Sequence, residues 1–160
     1  MIRREFRADR INAVLNHPEV LPWVTLPGLD ALDLSELVED RRNILLMTEE
    51  GDGGVLFHRR SQGVFEAHSQ YLPSARGKRA LAATREAVDW MFRNTDCRAI
   101  TTMVPADNRP AEALAVRCGL KLYDEVPHAW PRQGRMVAAR YFALSRAQWK
   151  DLKTCQLQQQ

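Results

Sequence analysis

Arg76, Lys78 and Arg79 crowd around Gly77, between a segment rich in β-branched and aromatic residues and one rich in helix formers. Val64 to Leu72 reads as a strand ended by Pro73, and Ala80 to Phe92 as a helix. A helix start carries unpaired N–H groups and the positive end of the peptide dipoles, so a basic, glycine-containing turn placed there suits an anion such as a diphosphate. A solvated basic turn is the plainer use of the same residues. Along the strand, alternation sets Glu66, His68, Gln70 and Leu72 on one face and Phe65, Ala67, Ser69 and Tyr71 on the other.

The rest of the chain must hold that turn in place. Ala99 to Val104 is β-rich and stops at Pro105, so a helix of about four turns joins two strands in a right-handed βαβ unit, which makes the strands parallel. Ala106 to Arg117 reads as a helix opening near Asp107 or Asn108 and closing at Cys118-Gly119, where glycine suits a left-handed cap. Upstream, Ile11, Val14 and Leu15 keep helical spacing after Asp9, a candidate N-cap, and Pro18 limits that helix. Leu21 to Gly28 holds two prolines and a glycine and is expected to be irregular, with Trp23 seeking cover. Ser35 is placed to cap a short helix through Val38. Ile44 to Thr48 and Val55 to His58 are hairpin partners around Gly51 to Gly54. Lys121 to Val126 and Met136 to Leu144 are expected as strands around a loop from Pro127 to Gly134, and Ser145 as the cap of a last helical turn carrying Trp149. One domain over residues 1–152 is expected, followed by a polar tail over 153–160.

A composition of 45% hydrophobic and 27% charged residues is that of a globular protein with no fibrous or disordered bias. The formal charge of +3 demands no nucleic acid, and no apolar run reaches membrane-spanning length, so neither partner is expected. Cys97, Cys118 and Cys155 are odd in number and share no metal-ligand spacing; they read as reduced thiols of a cytoplasmic protein without a metal site.

Leu72-Pro73-Ser74-Ala75-Arg76-Gly77-Lys78 resembles the acyl-CoA diphosphate loop of the GNAT N-acetyltransferase superfamily, and Val104 to Leu120, with Asn108, Ala113, Leu114 and the closing Gly119-Leu120, resembles a later segment of the same family. The resemblance covers roughly residues 44 to 144. Asn16-His17-Pro18-Glu19-Val20 together with these motifs also resembles GNAT-like proteins of bacteriophages and prophages. The implied fold is α/β (α+β): a mixed, mostly antiparallel sheet with a central parallel strand pair and helices on both faces.

The resemblance implies transfer of an acetyl group from acetyl-CoA, as cosubstrate, to an amine on a small molecule or protein, with no metal. It implies that Tyr71 and Leu72 offer backbone groups to the pantetheine arm, that Arg76, Gly77, Lys78, Arg79 and Ala80 hold the diphosphate, and that Asn108 meets the cofactor, although as an N-cap it also has a purely local use. Glu66 matches a position where family members carry a glutamate that accepts the amine proton; its plain alternative is an ion pair on a strand. His68, on the same face and titrating near neutrality, is placed to share that proton, or to be an ordinary core histidine. The loop between the last strands, with His128, Trp130 and Arg132, is implied to border the acceptor. Two departures stand out. Arg79 and Leu81 replace the family's small residues, with Arg79 able to pair directly with a phosphate, and Ala115 replaces a tyrosine that protonates the leaving thiolate. They favour a second reading, a non-catalytic module that binds acyl-CoA or a protein. The acceptor's identity and the oligomeric state, a dimer among the options, are not encoded in any motif.

Overall fold

A computed structural model describes residues 1–158, with side chains through Cys155. In chain order the elements are β1 (Ile2–Glu5), α1 (Ala8–Leu15), α2 (Leu21–Val24), α3 (Ser35–Glu39), β2 (Ile44–Thr48), β3 (Gly53–Ser61), β4 (Val64–Tyr71), a 3₁₀ turn (Pro73–Ala75), α4 (Lys78–Asn94), β5 (Ala99–Pro105), α5 (Arg109–Arg117), β6 (Lys121–Arg132), β7 (Arg135–Ser145) and α6 (Arg146–Gln158). The strands form one seven-stranded sheet in the order β1-β2-β3-β4-β5-β7-β6. Every neighbouring pair is antiparallel except β4 with β5, which is parallel.

Two apolar layers cover the sheet. On one face Phe57, Phe65, Ile100, Phe142 and Leu144 pack with Ala87, Met91 and Phe92 of α4. On the other, Leu45, Met47 and Leu56 pack beneath Ile11, Val14 and Leu15 of α1 and Val38 of α3. All five residues of β2 are buried because both layers press on it, which is why Ile44 to Met47 is an unbroken apolar run rather than an alternating one. The βαβ unit forms as expected, with α4 beginning two residues early at Lys78.

Several boundaries differ for physical reasons. Asp9 is not the cap of α1: it lies inside the first turn, where its carboxylate meets Arg7 at 2.7 Å. Ser35 likewise begins α3 instead of capping it, its N–H and hydroxyl both donating to Asp33. Ser145 does cap α6, through a reciprocal pair in which its hydroxyl accepts from the Gln148 N–H (3.2 Å) while its own N–H donates to the Gln148 side chain (2.8 Å). The helix it opens runs on through the stretch expected as a tail, anchored by Trp149 stacked on Phe92 and by Lys153 bonded to Asp89. Gln159 and Gln160 lie outside the described residues.

The expected loop from Pro127 to Gly134 is strand almost to its end. β6 continues to Arg132 through an irregularity between Val126 and Trp130, and the reversal is confined to Gln133 and Gly134, whose φ values of 42° and 79° give the left-handed pair that a tight hairpin turn requires. Pro127 and Pro131 are tolerated because β6 is an edge strand, where a missing N–H can face away from the sheet. β1, not foreseen, is a four-residue edge strand of mostly charged residues and carries almost no apolar pattern. Trp23 lies in α2, a single helical turn, rather than in irregular chain.

Candidate active site

The parallel pair that centres the sheet is short. Val64, Phe65 and Glu66 pair with Ala99, Ile100 and Thr101, and the Thr102 hydroxyl then donates to the Ala67 carbonyl at 2.8 Å. Past that bond the register ends, and a gap of about 130 Å³ opens between Ala67 to Gln70 of β4 and Thr102 to Pro105 of β5. A larger cavity of about 420 Å³ runs on from it to Arg76, Gly77 and Ala80 at the start of α4. The two meet at Trp23, Val24, Ser69, Gln70 and Asn108.

At the outer end, Gly77 precedes α4 with φ of 72° and no side-chain cap. A Cβ there would meet nothing within 4 Å, so glycine is required by backbone conformation and not by crowding. Leu81 is the first residue whose N–H bonds back, to the Gly77 carbonyl at 3.1 Å, which leaves the N–H groups of Lys78, Arg79 and Ala80 free of intrahelical partners. The basic side chains are arranged differently from the sequence expectation. Arg79 turns to Asp52 (2.7 Å) and the Ser74 carbonyl (3.3 Å), and Arg76 donates to the Glu19 carbonyl at 2.9 Å, tying the turn to the segment before α2. Lys78 is exposed. Backbone N–H groups, with the dipole of a 17-residue helix behind them, are therefore the part of this turn best suited to an anion.

Tyr71 lines the larger cavity, and its buried phenol is hydrogen-bonded to Thr84 at 2.8 Å. Burial pushes that phenol well above its ordinary range, so Tyr71 is a poor proton donor. Leu72 lines neither cavity: its N–H donates to the Asp52 carbonyl and its side chain joins the layer under α1. Asn108 is the N-cap of α5, its side chain accepting from the Ala111 N–H at 3.3 Å, and it also lines both cavities. Ala115 is buried against the gap and Cys118 beside it has its thiol pushed up to about 11 by burial.

Glu66 and His68 share a face, as alternation requires, and the Glu66 carboxylate lies 3.4 Å from both the His68 Nε2 and the Arg60 guanidinium. Desolvation pushes the His68 imidazole below its ordinary value in spite of the attraction of Glu66, with the positive charges of His58 and Arg60 acting in the same direction. His68 lines the gap, and Glu66 sits two residues earlier on the same face, at the last residue of β4 paired with β5. A carboxylate and a neutral imidazole in contact at the point where two strands part can take a proton from a nucleophile that enters the gap.

Arg132, expected beside the acceptor, is found in a contact that no local signal announces. Arg132 is 6% exposed; it donates to the Pro22 carbonyl (2.9 Å) and to Asp107 (3.2 Å) and lies 4.5 Å over the Trp23 ring. That strap holds Trp23, a wall of both cavities, against the β6–β7 hairpin. Gln70 is buried at the junction of the cavities. No local pattern links residues 22, 107 and 132, which meet only in three dimensions. His128, exposed on β6 with φ of 51°, and Trp130 line neither cavity. Among the described residues no cluster suits a metal ion, no helix is long and apolar enough to cross a membrane, and the three cysteines are unpaired.

A family model described as "Protein of unknown function (DUF2824)" matches residues 53–155. No curated protein matches the chain. Among solved structures, it is similar to a spermidine N-acetyltransferase from Vibrio cholerae in complex with CoA and spermine, at 15% identity and a TM-score of 0.77, covering 93% of this chain and 96% of that one. It is likewise similar to a GNAT-family acetyltransferase from Bacillus anthracis, at 16% identity and a TM-score of 0.71, over 91% and 94% of the two chains. The mixed sheet with its parted parallel pair is thus the GNAT acetyltransferase fold.

Proposed function

Since the chain belongs to the DUF2824 family and has the GNAT fold, we propose that it is an N-acetyltransferase that moves an acetyl group from acetyl-CoA to an amine by direct attack. The observation that carries this reading is the single cleft, which runs from the free N–H groups of α4 to the parted strands and ends beside His68 and Glu66. The residues present fit the cosubstrate. Gly77, Lys78, Arg79 and Ala80 offer backbone donors to a diphosphate, with Arg76 and Lys78 adding positive charge. Ser69 and Tyr71 lie where β4 has no strand partner on the β5 side, and alternation from the Ala67 carbonyl turns their backbone groups that way, so they can pair with an extended arm much as an added strand would.

Acetyl-CoA supplies the activated thioester. The amine nitrogen forms a bond to the acyl carbon, the carbon–sulfur bond breaks, the amine loses one proton and the thiolate gains one. Glu66, with His68, takes the amine's proton. With Ala115 in place of a tyrosine and Tyr71 held by Thr84, no side chain at the gap is an effective donor to sulfur, so the thiolate takes its proton from water or from the attacking ammonium.

A second reading, a non-catalytic acyl-CoA- or protein-binding module, is favoured by Ala115 and by the engagement of Arg79 with Asp52. Calorimetry with CoA, followed by mass spectrometry of the protein with acetyl-CoA and a panel of amines, separates the two. Binding with an acetylated amine is the expected result; binding without product selects the acyl-CoA module, and no CoA binding removes the enzyme and that module and leaves the protein-binding one.

A further inference from the structure

Gln70 is 8% exposed, and its amide has no hydrogen-bond partner on oxygen or nitrogen among the described residues; the oxygen is fully buried. A buried amide left unpaired is costly, and such groups in native structures are normally satisfied. Gln70 lies where the two cavities meet, on the His68 side of β4, facing the α2 residues Trp23 and Val24. It presents a donor and an acceptor together, the complement of another neutral amide.

The charges around it narrow the choice further. Neither cavity has an aspartate or glutamate in its lining. The nearby carboxylates already face cations, Glu66 facing Arg60 and His68, and Asp107, through Oδ2, facing Arg132 and Arg135, with its Oδ1 buried outside both linings. Beyond Glu66 at the end of the cleft, a di- or polycationic acceptor therefore finds no counter-charge for its further cations, and stripping them of water there goes uncompensated. An apolar body is welcomed by Trp23, Val24, Met103 and Pro105.

We propose that the acceptor is a primary amine carried beside a neutral amide, on a body with no second positive charge, and that Gln70 reads that amide. The inference rests on the acetyltransferase reading and names its substrate class. The chemistry agrees with it. An amine next to an amide has a pKa of about 7.7–8.0, against about 10.4 for an alkyl amine such as lysine, so far more of it is neutral at pH 7. Less is then asked of a base already paired with Arg60. The amine nitrogen bonds to the acyl carbon, sulfur leaves with the bonding pair, and the ammonium's proton goes to Glu66 while sulfur takes one from water.

The test uses the full chain, loaded with CoA for binding and supplied with acetyl-CoA for turnover, and three probes: leucinamide, 3-methylbutylamine, which is leucinamide without its carboxamide, and spermidine. Ligand-observed NMR measures binding and mass spectrometry measures acetylation. Leucinamide should bind at least about tenfold more tightly than either other probe, since a site built to hydrogen-bond a group rejects the analogue lacking it. Gln70→Leu should erase that preference while CoA affinity by calorimetry stays nearly unchanged; the near-isosteric Gln70→Glu, a control for folding, should shift preference towards spermidine. Equal or tighter binding of spermidine by the parent, no binding of leucinamide, or a Gln70→Leu loss falling on CoA affinity would overturn the proposal. Acetylation of spermidine alone would sink this inference and leave the acetyltransferase standing, whereas absent CoA binding, scored before any acceptor is added, removes the acetyltransferase itself.

Discussion

The two ends of the cleft are built in opposite ways. The end proposed for the diphosphate is one contiguous run, from the close of β4 through Gly77 into α4, and relies on backbone groups whose positions follow from the helix itself. The end proposed for the acceptor is assembled from α2, β4, the start of α5 and β6, and relies on side chains that converge from segments far apart in sequence. An end made of backbone tolerates changes of side chain, while one made of converging side chains does not. This explains how Arg79 can stand where a small residue is usual and still leave the helix N–H groups unobstructed, its guanidinium drawn aside by Asp52.

The largest effect should come from the inner end of the gap. Glu66→Gln is expected to lower turnover by about 10²–10⁴-fold with CoA affinity nearly intact, the loss shrinking as pH rises towards the pKa of the amine; His68→Gln should do less. A pH–rate profile within a few-fold of the parent across neutral pH would reassign Glu66 to structure, as the partner of Arg60. Next is the strap. Arg132→Met leaves Asp107 without its buried partner and frees Trp23, and should cost about 3 kcal/mol in denaturant unfolding. If stability is unchanged and Trp23 fluorescence keeps its parent spectrum, the acceptor end is not held together by Arg132.

At the backbone-built end the expected changes are smaller. Gly77→Ala forces a side chain into left-handed φ with no clash, so about 1 kcal/mol and a fall of about 2–4 °C in Tm are expected, together with weaker CoA binding. A substitution without effect on binding would show that the turn adapts when the diphosphate arrives. Arg79→Gly should change CoA affinity least, within about 1 kcal/mol, because the exposed pair with Asp52 competes with any phosphate contact. A large loss that fades in high salt would instead mean that Arg79 leaves Asp52 for the ligand.

How much was legible in the sequence divides along the same line. The strand from Val64, the basic turn and the helix after it announce themselves because their signals are local: β-branched residues, a proline, a glycine and then helix formers. The faces of β4 followed from alternation alone. Arg79's partner could not be read in this way, because Asp52 comes from the β2–β3 turn, nor could the strap, because Pro22, Asp107 and Arg132 share no spacing. β6 was misjudged after Val126 since two prolines argue against a strand until its place at the sheet edge is known. α6 outran expectation because its polar sequence is held by Asp89 of another helix.

The seam between β4 and β5 has three register pairs, so the sheet is two stiff plates, β1 to β4 and β5 to β7, stitched over a short length and backed by α4. Seen by amide hydrogen exchange, the backbone of β4 past Ala67 that turns away from β3 is a row of open positions inside an otherwise slow-exchanging sheet. Residues 69 and 71 should therefore trade their protons early in the free protein, while residue 70, turned to β3, stays slow. Protection gained there on adding CoA would map the arm of the cosubstrate, residue by residue, without any turnover at all.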